Sequence, residues 1–179
     1  MSRPAKSSGR MHEVEQLAQL IRRLAIKVPG YPQELALLAR LSALLEKHMA
    51  EAANEALRPL QLTYVLYQCL MIIQGGENGQ ISPSELADLT GERPNNITHI
   101  CSYLDKHGYI SREHEGQDRR RVQLSLTSAG RRLLSKAQPR IWKLWQCRFD
   151  GSSAHEQAVL NDLLRRQILN LEKAELEPE

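Results

Sequence analysis

Leu17, Leu20, Ile21, Leu24 and Val28 recur at helical spacing and predict an amphipathic helix over about 11–27, stopped by Pro29-Gly30-Tyr31-Pro32. A second stripe, Leu35, Leu38, Leu41, Leu45 and Met49, predicts a longer helix over about 33–56. Leu62, Val65, Leu66, Cys69, Leu70 and Ile73 carry a third, with Pro59 in its first turn, and Gly75-Gly76-Glu77-Asn78-Gly79 follows as a loop.

The period shortens in the middle of the chain. Ser82-Pro83-Ser84-Glu85 is a capping box with proline at the first helical position, opening a short helix that ends near Thr90. Gly91 supplies the turn, and a second short helix runs from Pro94 to a glycine cap at Gly108. Two short helices joined by a glycine turn predict a helix-turn-helix. Tyr109–Arg112 and the alternating Val122-Gln123-Leu124-Ser125-Leu126 then read as strands joined by a polar loop, a β-hairpin wing. Thr127 caps a further helix reaching about Phe149, with a kink expected at Pro139. Ser153 and Glu156 box the start of a last helix through Val159, Leu160, Leu163, Leu164, Ile168 and Leu171.

The fold class is therefore mainly α with a small β wing: a winged helix-turn-helix with N- and C-terminal dimerisation helices. Its expected domains are a disordered tail at 1–10, a helical dimerisation region at 11–58 and 128–174, a winged helix-turn-helix at 59–127 and an acidic tail at 175–179.

Composition sharpens this picture in one respect. The net charge of the 179-residue chain is only +3, but Arg93 to Arg140 holds ten Lys/Arg against four Asp/Glu. A basic segment in an otherwise acidic chain favours phosphate contact from one face. The three cysteines form no CxxC pair and read as reduced thiols of a cytoplasmic protein. No signal peptide or run of membrane-spanning length is expected. The six histidines lack ligand spacing, so neither metal nor cofactor is expected. No Gly-rich phosphate loop, nucleophile elbow or HExxH motif is present, and nothing points to an enzyme.

On the helix from Pro94, the residues Ile97, Ile100, Cys101 and Leu104 share one face and should bury. Asn95, His99, Ser102 and Lys106 lie opposite, with Thr98 alongside. Asparagine can read adenine bidentately, and serine or threonine can bond base edges or phosphates. Free N–H groups at the helix start, beside Arg93, favour a phosphate. Arg119, Arg120 and Arg121 fall in the wing loop, where an arginine can enter a minor groove. Read alone, the triplet is equally a solvated charge run.

Ile81-Ser82-Pro83-Ser84-Glu85-Leu86-Ala87, Leu104-Asp105-Lys106-His107-Gly108-Tyr109-Ile110, and Asp118-Arg119-Arg120 running into Leu124-Ser125-Leu126-Thr127-Ser128-Ala129-Gly130 resemble the MarR family of transcriptional regulators, nearest its EmrR/MprA-like branch. The resemblance spans about Gln33 to Leu171. It implies a homodimer on double-stranded DNA with a pseudo-palindromic operator. Arg93, Asn95, Asn96, Thr98, His99, Ser102 and Lys106 would face the major groove, and Arg119, Arg120 and Arg121 the minor groove, with Asp118 bracing a wing arginine. It also implies release by a small aromatic carboxylate or phenolic effector. Arg40 stands where relatives meet the ligand carboxylate, with His48, Tyr64 and Tyr67 as possible lining. Arg40 could instead form an intersubunit ion pair, and the tyrosines could be core. The rival reading of the whole chain is a winged-helix adaptor for protein or RNA without small-molecule sensing.

Overall fold

The computed structural model describes residues 5–114 and 122–176, with side chains over 9–113 and 122–173. Among the described residues, seven α-helices and three strands follow in the order α1 (Ala5–Lys27), α2 (Gln33–Leu57), α3 (Tyr64–Gly75), β1 (Gln80–Ile81), α4 (Pro83–Thr90), α5 (Pro94–Lys106), β2 (Ile110–His114), β3 (Val122–Leu126), α6 (Ser128–Arg148) and α7 (Ala154–Leu176). The chain divides within α3 into two compact units, Met1–Cys69 and Leu70–Glu179.

In the first unit α1 packs along α2. Their polar tie is a cluster around Glu13. One carboxylate oxygen accepts from Lys47 Nζ at 3.3 Å and the other meets His48 Nε2 at 2.8 Å, while His48 Nδ1 faces Glu51 at 3.3 Å. Desolvation raises the Glu13 pKa, but the hydrogen bonds and charges of Lys47 and His48 outweigh it and hold the group below its ordinary value.

α1 begins at Ala5, so positions 5–10, expected as tail, are helical. Propagating a formed helix fixes one residue per added hydrogen bond, and Ala5, Lys6 and Arg10 favour it. Pro59 does not open α3. It lies in a separate 3-10 turn, Arg58–Leu60, closed by Gln61 in the left-handed region at φ 54°. α3 starts five residues later, where Asn54 Oδ1 accepts from the Tyr64 amide at 2.8 Å and satisfies one orphan N–H.

The apolar stripes of α1 and α2 are only partly buried. Ile21, Met49, Ala53 and Leu57 are inside, whereas Leu20, Leu35, Leu38 and Leu45 are exposed. α7 is more extreme: Val159, Leu160, Leu163, Leu164, Ile168 and Leu171 are all at least 40% exposed. Helical periodicity reports which face is apolar, not whether one subunit supplies its cover.

The second unit holds the central core. Leu70, Ile73, Leu86, Ile97, Leu104, Ile110, Leu124, Leu134 and Ile141 are fully buried. Burying a side chain of this size contributes about 1.5–3 kcal/mol. α4 packs on α5, α5 on β2, and α4 and α6 on β3. The sheet order is β1-β3-β2, all antiparallel. β1, absent from the sequence reading, is two residues long and carries no period of its own; it pairs only with Ser125 and Leu124. β2 is displaced from the expected 109–112 to 110–114 because Tyr109 is still engaged in the helix cap. α6 continues unbroken through Pro139, and α7 extends to Leu176, into the expected acidic tail.

One junction organises this unit. α5 ends in a Schellman motif: Tyr109 N–H donates to Leu104 O at 2.9 Å and Gly108 N–H to Asp105 O at 2.8 Å, with Gly108 at φ 70°. Thr127 Oγ1 donates to Gly108 O at 2.6 Å and accepts from Gly130 N–H at 3.0 Å, so it caps α6 and binds the end of α5 together. Gly130 lies directly on the Tyr109 carbonyl, where a Cβ would collide with backbone atoms.

Two outcomes follow. Gly130→Ala should lower stability by about 1–3 kcal/mol, the usual penalty of overpacking, although alanine is the better helix former; a chemical-denaturation midpoint at or above wild type would refute the close approach. Glu13 has a depressed folded pKa, so its stabilisation is present above 4.5 and is lost as pH falls through the folded value. The stability gap between wild type and Glu13→Gln should therefore be widest near neutrality and close in acid; denaturant titrations from pH 7 to 3 showing a constant gap would contradict the ion cluster.

Candidate nucleic-acid interface and effector cavity

The two helices of the helix-turn-helix are built differently at their starts. In α4, Ser82 accepts from the Glu85 amide at 3.2 Å, and Glu85 Oε2 accepts from the Ser82 amide at 2.9 Å and from its hydroxyl at 2.7 Å. These bonds hold the Glu85 carboxyl below its ordinary range. α6 is capped by Thr127, and α7 is boxed by Ser153 and Glu156. α5 differs: its N-cap is Arg93, with no side-chain capping bond, proline at the first position and no acid in the first turn. Pro94 has no N–H, and the Asn96 and Ile97 amides donate to Arg93 O at 2.9 and 3.1 Å, so the Asn95 amide and the positive end of the dipole are left without a side-chain acceptor.

The faces of α5 separate as the periodicity predicts. Ile97, Ile100, Cys101 and Leu104 are buried. Arg93, Asn95, Asn96, Thr98, His99, Ser102 and Lys106 are all exposed. They are not equally available for readout. Asn96 Nδ2 donates to Glu92 at 2.6 Å, and the Thr98 hydroxyl donates to Pro94 O at 3.0 Å. Ser102 donates to Thr98 O at 2.8 Å and accepts from Arg112 at 3.3 Å. Cys101 is an inert inward thiol: burial raises its pKa, with the positive Arg112 opposing and Asp105 adding to the rise.

The hairpin stands beside this helix. β2 and β3 pair from Ile110↔Leu126 to His114↔Val122. Ser111 and Ser125 hydroxyls meet across the strands at 2.9 Å, and Arg131 donates to Leu126 O at 2.6 Å, fixing the hairpin base to α6. Asp118, Arg119, Arg120 and Arg121 lie outside the described residues.

Of the four positions expected to meet an effector, Arg40 lines a cavity whose lining does not include His48, Tyr64 or Tyr67. Arg40 shares this space of about 270 Å³ with Glu13, Leu17, Ala43, Leu44 and Lys47. His48 is one residue beyond that lining and is held between Glu13 and Glu51. Tyr64 and Tyr67 stack on each other at 6.3 Å. Tyr67 is buried, its hydroxyl has no hydrogen-bond partner among the described residues, and burial followed by the neighbouring Tyr64 pushes its pKa up. A separate hollow of about 610 Å³ behind α4 is lined by Glu77, Glu85 and Asp88. Its negative lining suits neither a phosphate nor an acidic effector.

Sequence reasoning missed Lys47, the second cation of the Arg40 cavity, and Arg112. Arg112 shares a sheet face with Ile110, so the period of two already aims it at α5. Lys47 lies seven residues from Arg40, on the same helical face.

No family model matches the chain. Over 120 residues it is 32% identical to the HTH-type transcriptional regulator PapX of Escherichia coli, covering 67% of this chain and 73% of that protein. Over 159 residues it is 27% identical to the transcriptional repressor MprA of Escherichia coli, covering 89% of this chain and 90% of that one. A cysteine-to-serine variant of MarR from Escherichia coli, solved in complex with operator DNA, superposes with a TM-score of 0.66 at 25% identity, over 74% of this chain and 94% of that one. Shared sequence along most of the chain, together with the exposed polar α5 and its adjoining hairpin, shows that this chain belongs to the MarR family of helix-turn-helix transcriptional regulators.

Proposed function

We propose that the protein is a homodimeric repressor that reads a pseudo-palindromic operator and is released by a small aromatic acid or phenol. The observation that carries this reading is the fully exposed polar face of α5, with an uncapped N-terminus, next to a hairpin whose loop contains three consecutive arginines. α5 enters the major groove with Arg93, Asn95 and His99 leading. Arg119 and Arg120 reach the flanking minor groove, where Asp118 orients a guanidinium. The exposed apolar residues of α1, α2 and α7 cover one another across a two-fold axis, and this places two reading heads about one helical turn apart.

The same assignment divides the chain by role, with 11–58 and 128–174 dimerising and 59–127 binding DNA. The effector's carboxylate docks on the Arg40 guanidinium, whose fork matches it, with Lys47 as second cation. The cavity is sized for a single-ring compound. Release needs only that the effector favour the non-binding arrangement by a few kcal/mol.

Asn95→Ala with Arg120→Ala should reduce affinity for a duplex selected from a random pool by about 100-fold, at 1–3 kcal/mol per lost base contact, while weak salt-dependent binding to any duplex persists. Gel shifts with unchanged affinity would remove this interface and favour the adaptor reading. Arg40→Ala should keep operator affinity within about twofold, yet raise by about tenfold the benzoate concentration that releases DNA, the loss of one charge-assisted contact. An unaltered benzoate response would make Arg40 structural.

A further inference from the structure

From its contacts we infer that Arg112 is the positioning residue that locks the wing to the recognition helix, with Asp105 and Ser102 as its anchors; the inference rests on the DNA-binding reading above. Arg112 projects from β2 toward α5. Its Nε meets Asp105 Oδ2 at 3.2 Å and its Nη2 donates to Ser102 Oγ at 3.3 Å. Ser102 is prepared to receive it, because its own proton is committed to Thr98 O. The guanidinium thus spans two successive turns of the exposed side of α5 with a planar two-point grip that an ammonium cannot reproduce.

The position along the hairpin makes this grip matter. Arg112 pairs with Leu124, the residue at which the support from β1 ends. Beyond that level, toward the arginine loop, β3 is paired with β2 alone. A two-stranded ribbon is marginal in water and twists freely. Nearer the base, a second tie joins the same elements: the Tyr103 and His107 rings meet tilted at 4.0 Å, His107 stacks on Tyr109 at 6.1 Å, and His107 Nδ1 contacts Tyr103 O at 2.8 Å. The ring stack holds the root of the wing, and Arg112 holds it one step further out. Recognition helix and wing then form one rigid reading head, in which the groove-to-groove distance is set before DNA arrives. It follows that Ser102 acts as an anchor rather than a base reader.

The competing role for an arginine here is direct phosphate contact, and Asp105 separates the two. If Arg112 braces the wing, Asp105→Asn and Arg112→Ala should behave alike. Each should lower affinity for the selected duplex by about tenfold, leave non-specific affinity and the salt slope near wild type, and abolish protection of the outer minor-groove positions while the central major-groove protections remain. Arg112→Lys should not rescue. If Arg112 instead contacts phosphate, Arg112→Ala should lower the magnitude of the salt slope by about one per subunit, Arg112→Lys should restore binding, and Asp105→Asn should tighten it by freeing the arginine. Either of the last two results overturns the inference. The pair is partly exposed, so little effect on melting is expected; Asp105→Asn keeps the test valid should Arg112→Ala prove unstable. A wild-type protein that selects no duplex at all would refute the DNA-binding reading and this inference with it. Wild-type selection with unaltered variants would sink the brace alone.

Discussion

The close approach of Gly130 to the Tyr109 carbonyl is the constraint on which the DNA-binding half of the molecule depends. At that point three elements meet within a few residues: the end of α5, the start of the wing and the first turn of α6. Thr127 completes the meeting. Its amide donates to Tyr109 O at 3.1 Å while its hydroxyl bridges Gly108 O and the Gly130 amide. The Gly108 and Tyr109 carbonyls and the Thr127 and Gly130 amides in the crossing thereby find partners. The Thr-x-x-Gly segment is thus explained by geometry. Threonine is needed because one hydroxyl must both donate and accept, and glycine because the next helix passes over a carbonyl with no room for a side chain.

A fold held this firmly at its junction can leave its reading helix exposed. Three helices of the second unit begin with side-chain caps, a feature that contributes about 1 kcal/mol each. The one that begins with Arg93 does not. Stability is set aside where the Asn95 amide and the helix dipole remain available to an external anion. Glu92 tempers this arrangement by holding Asn96 at 2.6 Å, which orders one amide side chain beside the exposed Asn95. The exposed helix therefore carries two kinds of polar residue. Some are bound to the protein and set its shape, and others are left for the ligand.

Much of this was legible in the residues because each signal was local. The Ser82–Glu85 box, Gly91, the Gly108 cap and the strand Val122–Leu126 each need only neighbours in sequence, and all appear where expected. What was not legible depended on partners far along the chain. β1 exists only because β3 offers an edge to Gln80 and Ile81. The displacement of Pro59 into its own turn depends on Asn54 reaching the Tyr64 amide. His48 looked like cavity lining, and its commitment to Glu13 requires a helix 35 residues away in sequence. Arg112 was passed over because an arginine in a wing strand resembles surface charge unless its phase with Ile110 is followed.

The apolar helices pose the opposite problem, a pattern that is clear in sequence and unsatisfied in the subunit. α7 presents seven large apolar residues to solvent, and α1 and α2 add six more. Covering even half of them would contribute several kcal/mol at about 1.5–3 kcal/mol per side chain. That is a large share of the 5–15 kcal/mol net stability typical of a domain. A helix of this composition has little to hold it in place alone, since propensity without packing is marginal in water. The proposed homodimer resolves this with the same surface that function needs. Two-fold pairing of this kind would cover the apolar faces. On the proposed reading, a ligand in the α1–α2 cavity would act on helices whose apolar faces also need cover.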